Sequence, residues 1–231
     1  MMGGESIATL VSGRIVGLDL WRALLMVVGL FVHASWFLPE TALFTVVADA
    51  SQTFRMGAFF AIAGFLTSRI LMRMTCRGEA TAWLRRRLWR LGWPALSGVA
   101  LLSPLVWYLV ETGPAATPRP ALLPFEWHHL WFLFALMLYS VVGVMLHDAD
   151  RCRGWTGRID RWSAGRGGRV VVLAVAAATA LVLGATMPVL TSLSPDTIRA
   201  WGHAQLICAH LPMSVLGFLL ARADRLHREV M

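Results

Sequence analysis

Apolar runs long enough to cross a bilayer recur along this chain, at residues 15–38, 54–74, 92–110, 129–147, 169–190 and 201–221. A helix rises about 1.5 Å per residue, so runs near 20 residues match the ~30 Å hydrocarbon layer. Backbone amides inside lipid must be satisfied within the segment, which makes such runs helices. The expected architecture is all-α, a polytopic membrane bundle of about six transmembrane helices, with residues 1–231 as one domain. Composition agrees: 57% of the 231 residues are hydrophobic and 15% charged, whereas soluble domains carry about 25% charged residues.

The connections alternate in charge. All 21 basic residues are arginine. The connection 69–90 holds seven and 147–169 holds six, while Arg222, Arg225 and Arg228 follow the last run. Residues 39–53 hold none, 111–128 only Arg119, and 191–200 only Arg199. This is the positive-inside pattern, and it puts both termini in the cytoplasm. The net charge of +8 is therefore juxtamembrane, which argues against a nucleic-acid partner. Trp36, Trp107, Trp127 and Trp201 fall at outer boundaries, where interfacial anchors belong. The first run is too long and too polar for a cleavable signal peptide. Cys76, Cys152 and Cys208 have neither disulfide nor zinc spacing, and no metal is expected.

The run Gly17–Leu38 carries Asp19, Arg22 and His33. Ionisable groups inside a membrane segment are expensive and read as functional. Arg22 and His33 are eleven residues apart. That is within ~20° of three full turns, so they share one helix face about 16.5 Å apart along the axis. Gly29 lies on the same stripe and leaves room beside His33. Asp19 and Arg22 are an i,i+3 pair and can neutralise each other.

In Phe54–Arg73, Gly57, Ala61, Gly64 and Ser68 recur every three or four residues. Such a small-residue face permits close helix packing. Arg55 sits at the outer end of this run, against the topology rule, and is a candidate to contact a partner or substrate. Arg69 and Arg73 sit at the inner end, where snorkelling explains them as readily as phosphate binding. Residues 40–53 read equally as a loop or a partly embedded segment. In Trp83–Pro94, Arg86 and Arg90 are i,i+4 with Arg87 alongside. Spacing favours a basic interfacial helix on anionic headgroups; a phosphate cradle is the functional alternative. In Glu126–Leu133 the paired histidines are poorly placed for one ion, and His129 beside Trp131 is a candidate to cap a polar cavity. His203 and His210 share a helix face, and ordinary helix polarity explains both.

Taken in order, the first helix with Arg22 and His33, then FRMGAFFAIAGF (54–65), RRLWRLGWP (86–94) and HLWFL (129–133), resemble the acyltransferase 3 family of integral-membrane acyltransferases. The resemblance runs from about residue 14 to 221. It implies transfer of an acyl group, acetyl or succinyl, from cytoplasmic acyl-CoA to a hydroxyl of a glycan or lipid-linked sugar. It implies an integral protein of a bacterial-type inner membrane, with no bound cofactor. By the family pattern His33 serves in catalysis, with Arg22 as its companion and Asp19 beside it. Arg55, Arg69, Arg73, Arg86, Arg90, His129 and Trp131 become candidates for donor or substrate binding. Gly57 stands where the family commonly has proline. The family's chains are longer and have more helices, so this one reads as truncated on the C-terminal side. That leaves open a homo-oligomer, a partner subunit or a non-catalytic form. A transporter of an anionic solute would use similar residues, but the inverted repeats or broken helices usual there are not evident.

Overall fold

A computed structural model describes residues 16–35, 42–112, 130–163 and 195–222, together with helical positions 170, 173–175, 177–179 and 181. All the regular structure among the described residues is helical. The elements are α1 (Val16–Ser35), α2 (Ala42–Leu71), α3 (Arg77–Ser97), a π-helical turn (Gly98–Leu102), α4 (Ser103–Thr112), α5 (Trp131–Arg153), α6 (Trp155–Ser163) and α7 (Pro195–Leu220). Much of the fifth run, with both termini, lies outside the described residues. Among the described residues, one helix, α5, is long and apolar enough to cross a membrane, and Ala204–Leu220 is a shorter apolar helix.

Two elements run further than the hydropathy pattern suggests. Helix α2 is 30 residues long and begins at Ala42, so the undecided segment after Pro39 is mostly helix. Residues 42–53 contain no glycine or proline to stop it. The arginine-rich stretch and the third apolar run form one rod from Arg77 to Thr112, broken only by the π turn. Pro94 lies inside that rod. It cannot donate a backbone hydrogen bond, so the ladder must adjust nearby. The Pro94 carbonyl accepts from the Gly98 amide and from the Ser97 hydroxyl at 3.2 Å. The wider turn that follows returns to α-helix where the Ser103 amide reaches back to Gly98.

The centre of the bundle is the pairing of α2 with α7. A side chain at Gly64 would overlap the Ser214 carbonyl, and one at Gly217 would overlap the Ala61 carbonyl. Backbone meets backbone at both points, as small residues on facing helices allow. The small-residue face read from the sequence therefore packs on α7. Gly57 faces Met213, Ala61 faces Gly217, and Ser68 meets Arg222, so the two helices run parallel. Helix α5 runs the same way, placing Gly143 against Thr67. Helix α3 runs opposite to α5: Gly98 lies against Leu130 and Gly92 against Met137. Helix α1 runs opposite to α2, with Gly29 at Arg55 and Leu25 packed among Phe59, Phe60 and Ala63.

Short turns join α2 to α3 and α5 to α6. The Glu79 carboxylate accepts from the Thr75 and Cys76 amides at 3.0 and 3.3 Å and starts α3. This is the capping-box geometry, which satisfies otherwise orphaned donors. Arg151 donates to the Thr75 carbonyl at 2.5 Å and ties this turn to α5. Gly154, at φ 57°, ends α5 in the left-handed conformation and lets α6 begin at the next residue.

Gly217→Val is expected to separate α2 from α7, because the atom it meets is a backbone carbonyl with no freedom to move. Overpacking of this kind costs about 1–3 kcal/mol or more. Thermal unfolding in mild detergent should show a lower midpoint, or little folded protein. Gly78→Ala, where nothing lies within 4 Å, is the control and should match the parent.

Candidate functional site

Helices α1 and α2 also meet where the Arg55 side chain lies beside Gly29. The Arg55 guanidinium rests directly on Gly29, so tightly that a Cβ there would overlap Nη1. Leu25 and Gly29 are buried, whereas Leu20, Trp21, Leu24, Met26 and Val27 on the same helix are exposed. The buried stripe thus fixes which face of α1 meets α2. Position 22 lies two turns before Gly29 and position 33 one turn after it, on that same face. Asp19, Arg22 and His33 belong to α1, and their side chains lie outside the described set. The Arg55 Nε is buried and finds no hydrogen-bond partner among the described residues.

Beneath Arg55 is an aromatic cluster. Phe60 is fully buried and meets Tyr139, His210 and Trp131 at ring-centroid distances of 5.0, 5.5 and 6.0 Å. Tyr139 donates its hydroxyl to the Ile207 carbonyl at 2.5 Å. The His210 Nδ1 lies 2.8 Å from the Leu206 carbonyl of its own helix. His210 is half-buried and packs its ring against Phe60 and Trp131. Trp131, a sequence candidate for substrate contact, joins the same packing. His129 and the His203 side chain lie outside the described residues.

Arg69, Arg73, Arg86 and Arg90 are all exposed. Arg69 lies in the last turn of α2 and Arg73 just beyond it, while Arg86 and Arg90 lie part-way along α3. Arg87 is half-buried over the Trp83 ring, 5.1 Å from its centroid.

Arg222, which follows the last apolar run, is enclosed by protein. It lies buried at the junction of α2, α5, α6 and α7 and donates from three nitrogens: Nη1 to Asp150 Oδ2 at 2.6 Å, Nε to Ser68 Oγ at 3.0 Å, and Nη2 to His147 Nδ1 at 2.5 Å. The Thr156 amide and hydroxyl donate to Asp150 Oδ1 at 2.9 and 2.8 Å. The guanidinium also sits 4.6 Å over the Phe218 ring. Burial pulls the Arg222 guanidinium below its ordinary pKa and Asp150 pushes it back; it remains a cation. Sequence reading missed Asp150, His147 and Thr156. The available signal was His-Asp-Ala-Asp (147–150), ionisable residues crowded at the end of an apolar run.

The family model described as an acyltransferase domain matches residues 15–231. The relatives named glucans biosynthesis protein C in Salmonella schwarzengrund and Salmonella typhi are each 29% identical over 147 residues, covering 55% of this chain and 37% of the relative. The same protein of Salmonella typhimurium matches equally. The aligned part is thus well under half the length of these relatives. No solved structure matches.

Removing Arg222 would leave Asp150 buried without its cation. Arg222→Ala is expected to destabilise the bundle by about 3–5 kcal/mol, the range for breaking one side of a buried pair. Arg222→Met combined with Asp150→Leu should recover most of that loss. Unfolding followed by helicity in detergent checks both; equal losses in the two proteins would show the ion pair is not the cause.

Proposed function

This chain belongs to the acyltransferase 3 family, and from that premise we propose that it is a membrane-embedded O-acyltransferase. It takes an acyl group, acetyl or succinyl, from acyl-CoA on the cytoplasmic side and delivers it to a sugar hydroxyl of a glycan or lipid-linked acceptor. The relatives' name makes a glucan the favoured acceptor. The cell location is the inner membrane of a bacterial-type envelope, with the apolar runs as membrane helices.

The observation that carries this reading is the seat of Arg55 on Gly29. It brings a cation to the α1 helix that holds positions 22 and 33. His33 acts as general base. An imidazole has an ordinary pKa near 6.5 and can accept a proton at neutral pH. It takes the proton from the acceptor hydroxyl as that oxygen attacks the thioester carbonyl. The carbon–sulfur bond then breaks, and the imidazolium returns its proton to the departing thiolate. Arg22 orients the donor from the inner side, with Asp19 balancing its charge. Arg55 faces the carbonyl oxygen or an anionic part of the acyl group. Arg69, Arg73, Arg86 and Arg90 hold the donor's phosphates. Trp131 shapes the wall below the site, and His129 borders its mouth. The extra length of the relatives allows a further segment or subunit to complete the acceptor side.

The test is acyl transfer in membranes containing this chain, with labelled acetyl-CoA and succinyl-CoA supplied separately and a glycan extract as acceptor. Label is expected in the glycan. His33→Ala should lower turnover by about 10²–10⁴-fold, the usual worth of a positioned base. Gly29→Leu, which evicts the Arg55 guanidinium, should lower it as Arg55→Ala does. Full activity in His33→Ala would overturn the assignment of the base.

A further inference from the structure

The junction around Arg222 holds a titratable ring that acyl transfer does not use. His147 is 3% exposed and lies in the last turns of α5. Its Nδ1 is 2.5 Å from the Arg222 Nη2. A guanidinium has only donors, so Nδ1 is the acceptor and carries no proton. The imidazole is therefore neutral, with its one proton on Nε2. That Nε2 is buried and meets no partner among the described residues. One hydrogen bond thus holds the ring, and it exists only while the ring is neutral.

The guanidinium is not free to turn away. Asp150 Oδ2 holds its Nη1 at 2.6 Å, Ser68 Oγ holds its Nε at 3.0 Å, and the Phe218 ring lies against it at 4.6 Å. Asp150 is itself fixed by the amide and hydroxyl of Thr156. A planar fork pinned at two nitrogens aims the third. A proton on Nδ1 would remove the acceptor and set two cations against each other. The Arg222 and Asp150 side chains are only 6% and 14% exposed. Little water reaches the pair, and like charges repel most where solvent is excluded.

The surrounding charges do not relieve that conflict. Two cations, Arg222 and Arg151, and two carboxylates, Asp148 and Asp150, act on the ring. Asp150 is committed to Arg222 and Thr156, and Arg151 donates to the Thr75 carbonyl. The Asp148 Oδ1 is buried and meets no partner among the described residues. From α2 and α6 the network receives Ser68 and Thr156, which are neutral.

We infer that His147 is a proton-operated latch: neutral, it takes the Arg222 hydrogen bond and closes the end of α7 on α5; protonated, it expels the guanidinium and frees that end. The junction of α2, α5, α6 and α7 then loosens as the pH around it falls. This device is independent of the acyl-transfer reading, and testing it needs no enzymatic activity. The closed junction holds the ring unprotonated, whereas an exposed imidazole takes up its proton near pH 6.5. Below that pH the open state binds one more proton than the closed state. Each further unit of acidification therefore favours opening roughly tenfold more.

Hydrogen exchange at the end of α7, residues 217–222, reads the latch in the full chain in nanodiscs. Protection, corrected for the intrinsic pH dependence of exchange, is expected to fall roughly tenfold between about pH 6.5 and 5.5 in the parent. In His147→Asn it should stay level, because the amide oxygen replaces Nδ1 as acceptor and does not titrate. A parent that keeps its protection down to about pH 5 overturns the inference. So does a His147→Asn chain that loses protection as the parent does. Nitrogen NMR of the labelled imidazole is the second arm and needs no variant. Above the transition it should show Nδ1 bare and Nε2 protonated, and the ring should take up its second proton over the range in which protection falls. The opposite tautomer, or a ring that protonates while protection holds, overturns the latch.

Discussion

The close approach of α2 and α7 is the constraint on which the other contacts depend. Carbonyls of Ala61 and Ser214 lie where side chains of Gly217 and Gly64 would be. That spacing leaves no slack for sliding or rotation. It therefore fixes where Phe60 points, and Phe60 in turn contacts Tyr139, Trp131 and His210. It also sets the level at which Ser68 meets Arg222. In a bilayer this type of contact has a clear rationale. Lipid is as apolar as leucine, so burying apolar area between helices gains little, and backbone proximity with good packing takes over.

Polar groups in the bundle follow two different rules. Arg222 is saturated: a carboxylate, a hydroxyl, an imidazole and an aromatic face surround one guanidinium. A buried charge is tolerable when its hydrogen bonds are complete. Arg55 is held by packing against Gly29 while its Nε has no partner among the described residues. The first arrangement holds four helices in register.

Much of this was legible in the chain. The spacing of Gly57, Ala61, Gly64 and Ser68 located the packing face of α2, because side-chain size is a local property. Arg55 stood out because it broke the charge rule, and Gly29 because it lay on the stripe of Arg22 and His33. Arg222 was hidden for the opposite reason. It obeyed the charge rule, which absorbed it as one more cytoplasmic arginine. Its partners come from α2 and α5, and no local pattern links residues 68, 150 and 222. The start of α2 and the continuity of α3 with α4 were also obscured. Pro94 lies inside the rod, and the π turn that follows it carries the chain on into α4.

That bridging has a consequence for the chemistry. Had the rod broken at Pro94, the arginines would lie on a separate surface helix, free to rest on headgroups. Because it continues, Arg85, Arg86 and Arg90 are locked in register with α5 through Gly92 at Met137 and Gly98 at Leu130. Their height relative to Tyr139 and Phe60 is then set by the same packing that seats Arg55. The glycine contacts thus do more than pack the bundle: they hold the arginines of α3 in register with the α1–α2 contact.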